Sequence, residues 1–199
     1  YAEFNGSYGS FNTHKKTVKV GTGLLNNHWT FDARLSNIGT DGYIDRASVD
    51  LNSYYLQGGY FAENTSVKLI AFAGKEKTYH AWGYATKEQM EKFGRRYNPC
   101  GEMYTDANGK KYYYDDQTDN YLQKNYQLLF NHTFSTAWNL NVALHYTKGD
   151  GYYEEYKDGR YLIEYGLKPF TIDGTEVSKS DLVRQKKMDN KFGGGVFSL

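Results

Sequence analysis

Residues 29–36, WTFDARLS, alternate between large apolar and polar side chains. Successive side chains of an extended strand point to opposite faces, so Trp29, Phe31 and Leu35 share one side and Asp32 and Arg34 share the other. This stretch therefore predicts a strand with one apolar face and one polar, charged face.

The same period of two recurs along the chain and predicts about eight strands. It is clear within Val18–Leu24, Tyr54–Tyr60, Tyr126–Phe130 and Leu140–Tyr146, whereas residues 67–74, VKLIAFAG, are apolar at almost every position and do not reveal which side faces where. The predicted strands lie near 2–11, 14–25, 29–39, 50–62, 66–82, 121–134, 139–154 and 190–199.

The connections between these strands alternate in length. Short links are predicted at Leu25–His28, Glu63–Ser66 and Ser135–Asn139, and long ones at 83–120 and 157–188, with an intermediate one near 40–50. Barrels of the outer membrane have tight periplasmic turns and long extracellular loops. The fold class predicted is therefore all-β, an antiparallel up-and-down transmembrane β-barrel, with 83–120 and 157–188 as extracellular loops opposite the turn at Ser135–Asn139.

Such a barrel makes a prediction about facing, because a charged side chain at the lipid-facing midplane costs roughly 2–4 kcal/mol. The residues expected to face lipid are Trp29, Phe31, Ala33, Leu35, Tyr54, Leu56, Leu128, Phe130, Leu140, Val142 and Leu144. The residues expected to face the lumen are Asp32, Arg34, Gln57, Gln127 and Asn141.

Composition agrees with strands but leaves two classes open. Mean hydropathy is −0.78, and no stretch approaches the roughly 20 apolar residues of a transmembrane helix. Aromatic residues make up 18% of the chain, with 21 tyrosines, which suit a membrane–water interface. Composition alone fits a tyrosine-rich soluble β-protein equally well.

Several classes of function find no support in the residues. With 24 basic and 23 acidic residues the charge is balanced, and nucleic-acid partners normally require a basic face. The single Cys100 and five scattered histidines predict neither a disulfide nor a metal site. Glu154 and Glu155 are adjacent and would point to opposite faces of a strand, so they form no catalytic pair. We expect no enzyme activity and no cofactor.

The long segment 83–120 holds the best candidates for ligand binding. A short helix is predicted over 84–91, and Asn108-Gly109 between Glu102–Thr105 and Lys110–Tyr114 predicts a small hairpin. Arginine forks and tyrosine hydroxyls suit anionic, oxygen-rich ligands. The predicted ligand-binding residues are Arg95, Arg96, Tyr97, Tyr112, Tyr113 and Tyr114, and decoration of a solvated loop would explain the same residues.

Four stretches resemble one known family. EFNGSYGSF (3–11) resembles the first barrel strand of TonB-dependent outer-membrane receptors, and NIGTDGYIDR (37–46) resembles the end of their third strand. GKEKTYHAW (74–82) and LHYTKGDGYYEEY (144–156) are similar to versions in Bacteroides-type members. The stretches follow one another in the order and spacing that the family shows, and the resemblance covers essentially the whole chain.

The resemblance implies a receptor in the bacterial outer membrane that imports a scarce nutrient with energy from TonB. An iron-siderophore-type metal chelate is the ligand class it favours, with cobalamin or a glycan as others. Barrels of this kind have about 22 strands around an N-terminal plug, so residues 1–199 would form only a partial β-barrel domain. TonB would act through the missing plug, which Asp32, Arg34 and Gln57 would face in the lumen, while outer-membrane lipid would surround the barrel.

The sequence is also compatible with two other kinds of protein. One is a complete, small eight-stranded outer-membrane barrel with a structural or adhesive role, since eight is an allowed strand number. The other is a soluble secreted glycan-binding β-domain. A barrel should need detergent for extraction and a soluble domain should not.

Overall fold

The structure is a computed structural model that describes residues 1–199, and most of the chain lies in antiparallel strands. Eight long strands build one sheet: β1 (Ala2–Gly9), β2 (Thr13–Gly21), β3 (Trp29–Thr40), β4 (Val49–Phe61), β5 (Thr65–Tyr79), β8 (Thr118–Thr133), β9 (Asn139–Tyr161) and β12 (Lys179–Ser198). Two small hairpins, β6 (Glu102–Thr105) with β7 (Lys111–Tyr113) and β10 (Phe170–Ile172) with β11 (Thr175–Val177), lie in the connections.

The eight long strands pair in the order β1-β2-β3-β4-β5-β8-β9-β12, and each pair is antiparallel. The prediction of an all-β, up-and-down antiparallel meander is confirmed. The sheet is open, because β1 and β12 are its edges and do not pair with each other. A closed barrel of eight strands would require that pairing.

Cross-strand register sorts the side chains into two faces, because directly paired residues lie on the same face of a sheet. Asp32, Gln57 and Gln127 fall in one continuous row across β3, β4, β5 and β8, and the rows on either side of it belong to the opposite face. We call the face that carries Asp32 the polar face and the other the apolar face. Every residue predicted to face lipid lies on the apolar face, and Asp32, Arg34, Gln57, Gln127 and Asn141 all lie on the polar face.

Strand β5, whose pattern was ambiguous, is oriented by its neighbours. Leu69 pairs with Gly58 and Leu128, which places the odd-numbered residues of β5 on the apolar face. Ile70 pairs with Gln57 and Gln127 and therefore lies on the polar face. The apolar residues at even positions of β5 show that the polar face is mixed rather than purely hydrophilic.

The two ends of the sheet differ as predicted. Residues 10–12, 41–48, 80–117 and 162–178 connect strands at one end, which we call the loop end. Residues 22–28, 62–64 and 134–138 connect them at the opposite, turn end. The turn after β2 uses Asn26 and Asn27 at positive φ, a conformation that asparagine tolerates better than most residues.

Several predicted bounds are wrong by more than a residue or two. β9 runs on to Tyr161 and β12 begins at Lys179, so the last connection is 162–178 and not 157–188. Polar side chains lie opposite each other in this part of the ribbon, Arg184 opposite Glu155 and Gln185 opposite Glu154, and for that reason polarity did not mark a loop. Likewise β5 ends at Tyr79 and not at residue 82, and β8 begins at Thr118 and not at residue 121. β2 ends at Gly21, four residues before the predicted end at 25.

Helical structure is minor. Helix α1 (Lys87–Phe93) begins three residues later than predicted and starts with a capping box, in which Thr86 and Gln89 bind each other's backbone amides. A 3₁₀ turn covers Leu162–Tyr165. No helix is long and apolar enough to span a membrane.

Candidate functional site

The connection between β5 and β8, residues 80–117, folds into a compact unit that we call the cap segment. It packs on the β3–β4 loop (41–48) at the loop end. Asn98, only 1% exposed, joins the two: its side-chain amide donates to the carbonyls of Asp45 (3.0 Å) and His80 (2.9 Å), while its oxygen accepts from the Cys100 amide at 3.0 Å. A buried amide with all these partners fixes the position of the chain around it.

Arg46 makes the second connection, from the β3–β4 loop into the cap segment. Its guanidinium donates to the carbonyls of Asn98 and Cys100 and lies over the ring of Tyr113, 3.4 Å from the centroid. The same group lies 5.8 Å from the ring centroid of Tyr79. Arg46 has positive φ, 64°, an unusual conformation for a side chain of this size.

The two arginines of the cap segment that were predicted to bind a ligand differ in their contacts with the rest of the chain. Arg96 donates to the Tyr43 carbonyl at 2.8 Å, pairs with Asp45 at 3.2 Å and lies 5.4 Å from the Phe11 ring centroid. Arg95 is exposed and makes no hydrogen bond or ion pair with the chain. Arg96 therefore docks the cap segment, and Arg95 is the free cation.

Tyr97 is buried and belongs to the interior of the cap segment. Its ring packs against Phe93 at 4.8 Å, and its hydroxyl donates to Glu102 at 2.9 Å. Burial, together with the hydrogen bond to Glu102, raises the pKa of Tyr97. Burial would raise the pKa of Glu102 too, but the Lys111 ammonium and the Tyr97 hydroxyl outweigh it and lower that pKa.

The three consecutive tyrosines of β7 and its flank point to different partners. Tyr112 stacks on Tyr104, with ring centroids 4.7 Å apart, and Tyr113 lies under Arg46. Tyr114 donates its hydroxyl to Glu154 of β9, and this hydrogen bond raises the pKa of Tyr114 to about 12. All three are half-buried, so they stabilise the cap segment and its contact with β9.

A second cluster lies on the polar face where the cap segment leaves β5. The His80 ring is fully buried and stacks on Trp82 at 3.8 Å, and Tyr153 of β9 meets Trp82 edge-on at 5.9 Å. Asp119 Oδ2 lies 3.4 Å from His80 Nε2, yet neither ring nitrogen has a hydrogen-bond partner of good geometry. Burial lowers the pKa of His80 despite the carboxylates of Asp119 and Glu155.

Glu155 anchors the charged part of this cluster. It is buried and pairs with Arg184 of β12 at 2.6 Å and with Lys157 at 2.8 Å. Burial would raise the pKa of Glu155, but its hydrogen bonds to Lys157 and Arg184 outweigh that effect and lower it. Trp82 remains 50% exposed beside these charges, so the cluster offers an aromatic surface bordered by fixed charges.

The polar-face residues predicted to meet a plug lie near the middle of the sheet. Asp32 accepts hydrogen bonds from Tyr1 (3.0 Å) and from Gln57 (3.5 Å). Arg34 is exposed on the same face, opposite Lys19 and Tyr55. Tyr1, Asp32 and Gln57 thus form a small hydrogen-bonded network, and Arg34 makes no hydrogen bond or ion pair with it.

The structure thus gathers Arg96, Tyr97, Tyr112, Tyr113 and Tyr114 into one unit but uses them to hold that unit together. It leaves Arg95 exposed, together with Tyr84, which is 95% exposed. Sequence reasoning missed Asn98, Arg46 and the His80–Trp82 cluster. The only signal for the cluster was His80 and Trp82 within two residues at the end of a strand. No group of three or more His, Cys, Asp or Glu side chains could hold a metal ion.

Comparison of the chain with protein-family models, curated proteins and solved structures finds no match.

Proposed function

We propose that the chain is part of a bacterial outer-membrane β-barrel, with the apolar face toward lipid and the polar face toward the lumen. The observation that carries this proposal is the exposure of the apolar face. Leu69 and Leu35 are each 60% exposed, and Phe31 is 50% exposed, although they lie in the middle of long strands.

A soluble sheet would cover such a face, because layers of secondary structure pack their apolar sides on each other. Here the eight strands form one layer, and the two small hairpins and the single short helix lie in the connections. The buried apolar residues are few, and Ala73 alone lies within the apolar band. Lipid is the environment that would cover the rest.

The extent of the apolar face also fits this proposal. On β3, β4, β5 and β9 the apolar face carries four successive outward positions before a polar residue, for example Trp29, Phe31, Ala33 and Leu35 before Asn37. Seven residues of strand cover roughly 20–23 Å, the same order as the apolar band of about 25 Å on outer-membrane barrels. Aromatic rings at the turn end, including Trp29 and Tyr60 at 4.8 Å, suit the membrane interface.

Within this proposal the intact protein is a TonB-dependent receptor that imports a scarce nutrient, as the family resemblance suggests. The cap segment would lie outside the cell at the mouth of the barrel, where rigidly held loops concentrate binding residues. Arg95 and the exposed aromatic side chains of Trp82 and Tyr84 are among the groups left free to contact a ligand. An anionic metal chelate would suit the free cation, whereas cobalamin or a glycan would rely more on the aromatic surface.

Neighbouring residues of β5 provide a matched test of the membrane orientation. Leu69 and Ile70 are apolar and of equal size, and they lie on opposite faces. In vesicles, Leu69→Arg should destabilise the inserted protein by roughly 2–4 kcal/mol, since it places a charge in lipid, whereas Ile70→Arg should cost far less. Denaturant titration of each variant in vesicles measures the difference. Equal losses, or extraction of the unaltered chain from membranes without detergent, would contradict the proposal.

A further inference from the structure

The apolar face ends in the same way on every strand from β2 to β12. Moving toward the loop end, the first polar side chain on that face is always a lysine or an asparagine and never an acid. These residues, in sheet order, are Lys16, Asn37, Asn52, Lys75, Lys124, Lys148 and Lys191. We call the five lysines of this set the lysine belt.

Three members of the lysine belt repel one another. Lys148 of β9 pairs directly with Lys124 of β8 on one side and with Lys191 of β12 on the other. Like charges placed directly opposite each other destabilise a sheet. None of the five ammonium groups has a carboxylate oxygen within 4.0 Å, and none donates a hydrogen bond to the chain. No carboxylate of the chain therefore forms an ion pair with these lysines.

The turn end of the apolar face has no such charge. Beyond the apolar run, the corresponding positions carry Asn27, Ala62, Thr65, His132 and Trp138. The basic row thus lies only at the loop end of the apolar band. An asymmetry of this kind points to anions on one side of the band.

The neighbouring rows define how an anion can approach. Asp150 and Asp189 lie opposite each other in the next row toward the loop end, and neither pairs with a lysine of the belt. On the other side lie Tyr126 and Tyr146, which are 44% and 45% exposed, with ring centroids 6.5 Å apart. The anion must therefore reach the lysines from the apolar, tyrosine-lined side.

We infer that the lysine belt binds the phosphate groups of an anionic lipid layer whose chains cover the apolar face. The inference rests on the proposed membrane orientation of that face. Lysines at the edge of an apolar band extend toward lipid headgroups, and their attraction to an anionic surface contributes about fivefold in affinity per residue. Phosphates between Lys124, Lys148 and Lys191 would also relieve their mutual repulsion.

Vesicle flotation of the full 199-residue chain tests this inference. The chain is mixed with vesicles of phosphatidylcholine alone and with vesicles of equal parts phosphatidylcholine and phosphatidylglycerol. The test variant is Lys124→Gln/Lys148→Gln/Lys191→Gln. A control with the same change in charge, Lys87→Gln/Lys92→Gln/Lys110→Gln, alters exposed lysines of the cap segment. A third variant replaces the three belt lysines by arginine and keeps the charge.

The unaltered chain should prefer the anionic vesicles by on the order of 1,000-fold, about fivefold for each of the five lysines, and the preference should fall with added salt. The glutamine variant of the belt should lose on the order of 100-fold of this preference, because only Lys16 and Lys75 remain, while binding neutral vesicles unchanged. The control and arginine variants should keep the full preference. Equal binding of both vesicles by the unaltered chain, or an undiminished preference in the belt variant, would overturn the lipid-phosphate inference alone. Failure to bind either vesicle would overturn the proposed function as well. Unchanged binding to neutral vesicles also shows that the belt variant folds.

Discussion

The guanidinium of Arg46 lies 3.4 Å from the centre of the Tyr113 ring, which joins the β3–β4 loop to the cap segment. The same side chain donates to two carbonyls of the cap segment, those of Asn98 and Cys100. One of the side chains that dock the cap segment is thus an arginine that precedes the segment by more than 30 residues in the chain.

Replacing this arginine should detach the cap segment and leave the sheet intact. We expect Arg46→Ala to destabilise the docked state by roughly 1.5–3 kcal/mol, because hydrogen bonds from a charged donor are lost while the two carbonyls that accept them stay buried. Limited proteolysis should then cut within residues 80–117 much faster, with unchanged strand content by circular dichroism. Lys110→Ala, at an exposed position in the hairpin turn, serves as the control. Equal protease resistance in both variants would show that Arg46 does not hold the segment.

The two adjacent arginines of the cap segment should separate ligand binding from docking. Arg95→Ala removes a free cation and should weaken capture of an anionic ligand in the full-length receptor while leaving protease resistance unchanged. Arg96→Ala breaks the contacts with Tyr43 and Asp45 and should loosen the segment as well. Whole-cell ligand binding at matched receptor levels measures the first effect. If Arg95→Ala binds as well as the unaltered receptor, Arg95 has no part in capture.

Low pH should destabilise the packing around His80, where the cap segment leaves β5. The folded pKa of His80 lies below its ordinary value of 6.5, since burial outweighs the attraction of Asp119 and Glu155, while Lys157 adds to the lowering. Its contribution to stability is therefore complete above pH 6.5 and is lost as the pH falls below that value. Trp82, stacked on His80 at 3.8 Å, should report the change by fluorescence.

Two variants identify the source of that acid response. His80→Gln should abolish the fluorescence change below pH 6.5, and Trp82→Phe should remove its signal. His28→Gln, at the turn end, should leave the change in place. An identical titration in the His80→Gln variant would assign the response to another group.

High pH should weaken the contact between the cap segment and β9. The hydrogen bond to Glu154 raises the pKa of Tyr114 from 10.0 to about 12, so its contribution to stability is complete below pH 10 and is lost as the pH rises toward 12. Ultraviolet titration of phenolate absorbance should show a late step that Tyr114→Phe and Glu154→Gln each reduce. The hydrogen bond to Asp181 raises the pKa of Tyr156 to about 12 as well, so Tyr156 should contribute to the same late step. No change in the late step in either variant would contradict the assignment.

The sequence was sufficient for the sheet because alternation is a local property. Trp29 and Arg34 were assigned to opposite faces from the residues between them, and the register agrees. β5 was different, since both its faces are apolar and only its pairing with Gln57 and Gln127 orients it. The strands β9 and β12 were predicted too short because their outer halves are charged, although Arg184 and Glu155 form an ion pair across the ribbon there.

The candidate site was harder to predict, because its contacts join distant parts of the chain. Arg96 and Tyr97 fitted a ligand-binding set by residue type alone, yet their partners are Asp45 and Glu102 within the protein. Nothing near Asn98 in the sequence indicates that it binds the carbonyls of Asp45 and His80. Residue type therefore identified side chains that are chemically able to bind a ligand, and only the tertiary contacts show which of these side chains remain free.

Strand β5 offers the most direct measurement of whether the apolar face of the sheet meets lipid. Single cysteines are placed in turn at residues 66–73 in a Cys100→Ser background, labelled with nitroxide and inserted into vesicles. Paramagnetic relaxation by oxygen, which concentrates in lipid, is compared with relaxation by a water-soluble nickel complex. We expect a period of two, with oxygen dominant at positions 67, 69, 71 and 73 and nickel dominant at the positions between them. Uniform exposure to nickel along the strand, or the opposite phase, would contradict it.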